Sequence, residues 1–190
     1  MKKSFGPKAL IFPTPVWCVA SYDADGKANV MTVAWGGICC SSPACLGISI
    51  RKATHSYGNI MHSKAFTVNV PSKSQAKAAD YFGMVSGKSH NKFIETGLTP
   101  IRANHVNAPF IKEFPMILEC NVIHSYEIGL HTQIIGEIMD VRVDESALDA
   151  DGMPDIIKVN PFLYVPETCS YTSIGTETWK AFDISLIKKE

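Results

Sequence analysis

No charged side chain occurs between Lys27 and Arg51, a run of 23 residues that by length alone could cross a bilayer. Asn29, Thr32, Gly36, Gly37, Ser41, Ser42 and Pro43 interrupt the run and deny it a continuous apolar helix. It reads instead as a buried strand, a loop and a second strand. A similar argument applies near the start, where the apolar stretch 9–20 follows Lys2 and Lys3 but Pro13 and Pro15 break the helix that a signal peptide needs. The chain is expected to be soluble and cytoplasmic.

The remaining organisation points to β-structure. Segments 17–21 and 28–33 flank Asp23-Ala24-Asp25-Gly26, which suits a hairpin turn. A strand is predicted at 46–50, a short helix after Thr54-His55-Ser56 running to about His62, and another strand at 65–70. Segment 74–82 carries Ala76, Ala78, Ala79 and Phe82 after a polar start and reads as a covering helix. The stretch 83–115 is irregular, with a short helix near 91–96. Long β-branched strands are predicted at 116–126 and 131–143, joined through 127–130, and short strands at 162–165 and 171–174 beyond the acidic excursion 144–155. With no repeat or linker, residues 1–190 read as one domain. Many strands and few helices predict a mainly β, closed or partly closed antiparallel barrel with helical covers, because closure removes exposed edges.

Composition narrows the partners. Eighteen basic and eighteen acidic residues cancel, removing the bulk attraction on which nucleic-acid and anionic-membrane binders rely. The charge is unevenly distributed: residues 1–95 hold 11 basic and 4 acidic side chains, and residues 96–190 hold 7 and 14. The first half is better suited to an anionic ligand, although solvated surface charge gives the same asymmetry. Cys18, Cys39, Cys40, Cys45, Cys120 and Cys169 show no two-residue spacing of a redox dithiol or zinc knuckle, so reduced thiols and no metal site are expected. No Gly-x-Gly-x-x-Gly or Walker-type loop occurs.

The chemistry concentrates between residues 29 and 56. Asn29-Val30-Met31-Thr32 supplies amide and hydroxyl groups, Trp35-Gly36-Gly37 an aromatic plane beside open backbone, and Ser49-Ile50-Arg51 a strand ending in a cation. Thr54 and Ser56 add hydroxyls at a predicted helix start, where free backbone amides and the helix dipole favour an anion. These are parts that hold a phosphorylated planar ligand. A hydroxyl such as that of Ser56 also serves as an N-cap, the commoner role, and Trp35 alone reads as core.

Together these segments carry a resemblance. Pro15-Val16-Trp17-Cys18-Val19, Asn29-Val30-Met31-Thr32-Val33-Ala34-Trp35, Ser41-Ser42-Pro43, 51–56 and Phe66-Thr67-Val68-Asn69-Val70-Pro71 resemble the flavin reductase-like family in order and spacing. Ser86-Gly87, Lys92-Phe93, Gly129-Leu130-His131, Gly136-Glu137-Ile138 and Asn160-Pro161-Phe162-Leu163-Tyr164, with Tyr171 and Gly175, extend it over nearly the whole chain. It is most similar to the flavoredoxin-like branch of the FMN-binding split-barrel proteins.

The resemblance implies a split antiparallel β-barrel, FMN as cofactor, and a homodimer with cofactor sites near the subunit interface. Asn29, Val30, Met31 and Thr32 would meet the isoalloxazine ring, with Trp35, Ser49 and Ile50 shaping the site. Arg51, Thr54 and Ser56 would address the phosphate, and Lys92 would be a second cation there or an exposed lysine. His131 and Tyr164 would approach the flavin from later in the chain or from the partner. His131 is the one side chain read as a proton handler beside the flavin, against the usual structural role of a strand histidine.

Two functions follow from the resemblance. One is an NAD(P)H-dependent oxidoreductase passing electrons through bound FMN to an acceptor. The alternative is a flavoredoxin-like electron carrier reduced and oxidised by protein partners.

Overall fold

A computed structural model of the chain describes residues 1–179 and 181. Strands β1 (Thr14–Pro15), β2 (Trp17–Tyr22), β3 (Ala28–Val33), β4 (Gly36–Ser41) and β5 (Ala44–Ile50) precede helix α1 (His55–Ser63) and β6 (Ala65–Val70). Helices α2 (Ala76–Met84) and α3 (Lys92–Thr96) and the short pair β7 (Pro100–Arg102) and β8 (Pro109–Ile111) follow. The long strands β9 (Met116–Ile128) and β10 (His131–Val143), helix α4 (Ile156–Val159), and strands β11 (Phe162–Val165) and β12 (Ser170–Ser173) complete the order.

The turn between β2 and β3 is built by its aspartate. Asp23 Oδ1 accepts from the Asp25 and Lys27 amides at 3.0 and 2.8 Å, and Gly26 takes φ +77°. Such a conformation favours glycine because no Cβ meets the backbone there. At α1, Thr54 is the N-cap and accepts from the Tyr57 amide at 3.3 Å.

Seven strands form one sheet in the order β3-β2-β6-β9-β10-β5-β4, every neighbouring pair antiparallel. Although β3 and β5 stand far apart in that order, Met31 and Thr32 line the same groove as Ser49 and Ile50. The sheet therefore curls until β3 meets β5, which gives the partly closed antiparallel barrel expected from the pattern of strands and the split barrel that the resemblance implies.

Strand alternation sorts the two cores. Val19, Leu46, Ile48, Ile50, Phe66, Val68 and Ile134 fill the barrel with Ile60 of α1 among them. Cys18, Ala20 and Val30 point the other way, against Ala79 and Phe82 of α2 and Phe93 of α3. Gly136 makes the inner packing possible, because a Cβ there would stand 2.6 Å from Phe66 Cζ. Buried Glu119 braces the barrel wall by accepting from the Asn104 and His105 amides at 3.3 and 2.7 Å and pairing with Arg142 at 3.6 Å.

Three sequence expectations change. The loop expected around Gly36-Gly37 and the cysteines is strand β4, paired to β5 at the sheet edge, where backbone pairing overrides low intrinsic propensity. The 127–130 connection shrinks, since β9 runs to Ile128 and Gly129 turns at φ +51°. The irregular 83–115 region contains the paired strands β7 and β8. Among the described residues, no helix is long and apolar enough to cross a membrane.

Candidate functional site

Two continuous cavities meet where β3 and β5 approach. One, of about 200 Å³, is lined by Met31, Thr32, Trp35, Ser49, Ile50 and His131. The other, of about 300 Å³, is lined by Ser56, His55, Lys92 and the α2 exit from Gly83 to Gly87. Met31, Arg51 and Thr54 line both, so one groove runs from the indole of Trp35 to the N-terminus of α1. A third cavity, of about 460 Å³, shares Trp35, Ser49 and His131 with the groove and extends to Lys8, Leu10, Ile11 and Ile128.

The polar end is the more specific. Lys92 is 4% exposed, and its ammonium donates to the carbonyls of Val30 at 2.8 Å and Phe82 at 2.7 Å. Among the described residues no carboxylate pairs with it. Burial pulls its pKa down to about 8, with the nearby Cys18 thiol opposing. Burial likewise pushes the Cys18 thiol up to about 12. A buried ammonium satisfied only by neutral carbonyls favours an anionic guest, because the charge lacks a counterion.

The hydroxyls divide their labour. Thr54 Oγ1 donates to the Arg51 carbonyl at 2.8 Å while capping α1, so its proton is committed to the backbone. Ser56 is the second helical residue rather than the cap, and its hydroxyl accepts from Asn29 Nδ2 at 2.7 Å. The Ser56 proton therefore remains free to donate into the groove. Arg51 is exposed at the groove's bend and offers the planar fork that suits phosphate oxygens. Together with the first-turn amides of α1, these donors fit a phosphate group, and the flatter, less polar arm beside Trp35 fits a planar body.

Other expected site residues stand further back. Val30 is fully buried under α2 and α3 and contributes only its carbonyl, to Lys92. Asn29 positions Ser56 rather than lining the groove. The Thr32 hydroxyl donates to the Ala79 carbonyl, which leaves its remaining surface to the cavity wall. Tyr164 lies in a neighbouring cavity with Asp80, Met84, Cys169 and Tyr171, joined to the groove through Thr32 and Ala34. There burial, and then a 2.8 Å hydrogen bond donated to Asp80, hold the Tyr171 hydroxyl above its ordinary pKa.

Sequence reading gave no ligand role to the α2 exit. Gly87 packs so closely on Asn29 Oδ1 and the His55 ring that no Cβ fits there. The visible signal was the Gly83 to Gly87 interruption after an alanine-rich helix. Among the described residues, no group of His, Cys, Asp or Glu side chains has the arrangement of a metal site.

Curled antiparallel sheet, helical covers and a phosphate-suited groove at the closure define a split-barrel protein of the flavin reductase type. A family model described as flavin reductase-like domain matches residues 9–171, and the chain belongs to that family. It is similar to the flavoredoxin of Desulfovibrio vulgaris (Miyazaki F), with 48% identity and a TM-score of 0.93 over 97% of this chain and all of that one. The flavoredoxin of Methanosarcina acetivorans is 28% identical, with a TM-score of 0.89 over 98% of this chain and 100% of that chain. A split-barrel structure from Shewanella frigidimarina, 24% identical with a TM-score of 0.80 over 90% of this chain and 86% of that one, shares the fold.

Proposed function

We propose that the protein binds FMN in this groove and acts as an oxidoreductase, passing electrons from NAD(P)H through bound FMN to an acceptor. The observation that carries the reading is the buried ammonium of Lys92, with no carboxylate partner among the described residues, in the cavity shared by Arg51 and Ser56. When bound, the flavin supplies the acceptance of a hydride, or of two electrons with protons, and their onward transfer.

The chain's own residues bind, orient and shield. Arg51, Lys92, Ser56 and the α1 amides hold the phosphate, Trp35 and Met31 bound the planar end, and Ile50 keeps water from its base. His131 lines both the planar arm and the larger cavity beside it, where its ring nitrogens can hold or move a proton between the two. That larger cavity is the place for a nicotinamide donor. Tyr164 shapes the approach from the far side of Thr32.

A second reading, an FMN electron carrier served by protein partners, draws support from the 48% identity to a flavoredoxin. A homodimer is supported by the exposed Tyr126, Ile128 and Leu130 at the tip of the β9–β10 ribbon. One domain over 1–190 and a cytoplasmic setting complete the proposal.

An anaerobic visible spectrum before and after NADH, then NADPH, tests both readings. Rapid bleaching of a flavin band supports the reductase. A band that persists with both donors but bleaches with a reduced electron-transfer protein supports the carrier, and no band after adding FMN overturns the proposal.

A further inference from the structure

The β4–β5 hairpin carries three of the six thiols within seven residues: Cys39 and Cys40 on one strand and Cys45 on the other. The register sets Cys40 directly opposite Cys45, and a bulge between Ile38 and Cys40 makes Cys39 an extra residue beside that pair. Directly opposed residues of an antiparallel pair have Cα atoms roughly 4.5–5.5 Å apart, inside the roughly 4.4–6.8 Å range of disulfides. Directly opposed side chains also share a face of the sheet. Cys39 and Cys40 are exposed, Cys45 is 3% exposed, and all three are free thiols.

We propose that Cys40 and Cys45 form a thiol–disulfide exchange site for low-molecular-weight disulfides on the edge hairpin, away from the groove. The exposed Cys40 gives its proton to solvent, and its thiolate attacks one sulfur of the small disulfide. A mixed disulfide forms at Cys40, and the first small thiolate leaves and takes up a proton. Cys45 then loses its proton and attacks the Cys40 sulfur, breaking the mixed disulfide and releasing a second small thiolate, which is protonated in turn. Two protein thiols are oxidised to one disulfide while one small disulfide is reduced to two thiols.

The two thiols suit these different roles. Cys40 is accessible to a ligand, whereas Cys45 is covered and its thiol is held above the ordinary range, first by burial and then by the neighbouring Cys40, Cys39 and Glu137. Closure by Cys45 is therefore the slow step, and its rate rises with pH as the thiolate fraction grows.

The test incubates the purified protein with oxidised glutathione, blocks free thiols, and maps the peptide spanning residues 28–51. The expected product is lighter by two hydrogens, with backbone fragmentation placing the link between Cys40 and Cys45, and excess reduced thiol reverses it. Cys39→Ser keeps the link and Cys40→Ser abolishes it, with no glutathione adduct on Cys45. Cys45→Ser, or Cys45→Ala if the first variant misfolds, leaves a stable glutathione adduct on Cys40. Three unmodified thiols in the wild-type protein, an adduct that never resolves, a Cys39–Cys40 or Cys39–Cys45 link, or linkage between chains would each overturn the proposal.

Discussion

Asn29 Nδ2 donates a 2.7 Å hydrogen bond to the Ser56 hydroxyl, locking the second residue of β3 to the second residue of α1 in a buried setting. The bond spends one acceptor lone pair of Ser56 on the protein and leaves its proton for a guest. Asn29→Ala should lower stability by about 1–2 kcal/mol and weaken FMN binding about tenfold, because the hydroxyl loses its fixed direction. Fluorescence titration with FMN beside a urea melt checks both, and unchanged FMN affinity would remove Ser56 from the phosphate seat.

Lys92 predicts a pH dependence. Its proton is held with a pKa of about 8 in the folded chain against an ordinary 10.5, so between those values the unfolded chain binds more protons. Stability of the ligand-free protein should rise across that window, whereas below about pH 8 the full cost of the buried charge, about 3 kcal/mol, is present throughout. FMN affinity should fall above pH 8, by at most about tenfold per unit, as the ammonium loses its proton. Lys92→Met should flatten both profiles, measured by thermal melts and FMN titration from pH 7 to 10.5.

Gly136 and Phe66 predict a packing conflict. Gly136→Ala brings a Cβ to within 2.6 Å of Phe66 Cζ and 3.0 Å of Cys120 Cβ, and should cost about 1–3 kcal/mol. Combining it with Phe66→Leu should cost less than the two single changes added together. A double-mutant cycle by denaturant unfolding reads that coupling directly.

Glu119 separates fold from function. Glu119→Ala leaves the Asn104 and His105 amides and the Arg142 guanidinium without their acceptor, a loss of about 3 kcal/mol. Since Glu119 lines neither arm of the groove, FMN affinity measured at low temperature should stay within about twofold of wild type.

Local chemistry made much of this structure legible. The Asp-rich turn, the β-branched run of β10 and the polar start of α1 each announce their elements, and the order of segments from Asn29 to Ser56 announces a phosphate-suited region. Distant pairing escaped the reading. That β4 is a strand depends on β5 beside it, and that Thr14 and Pro15 join β11 depends on contacts across the chain. The same limit divides the site: a hydroxyl near a helix start is visible, but while Thr54 caps the helix through its neighbour Tyr57, the partner of Ser56 is Asn29, 27 residues away. Lys92 was open as cation or surface residue until the fold buried it.

The meeting of β3 and β5 makes the groove a seam as well as a site. A guest that touches Met31 on one side and Arg51 on the other acts as a fastener between margins that no backbone ladder joins. Resistance to unfolding and proteolysis should therefore climb with cofactor supply, so that a flavin-starved cell would hold this barrel in its most easily opened form.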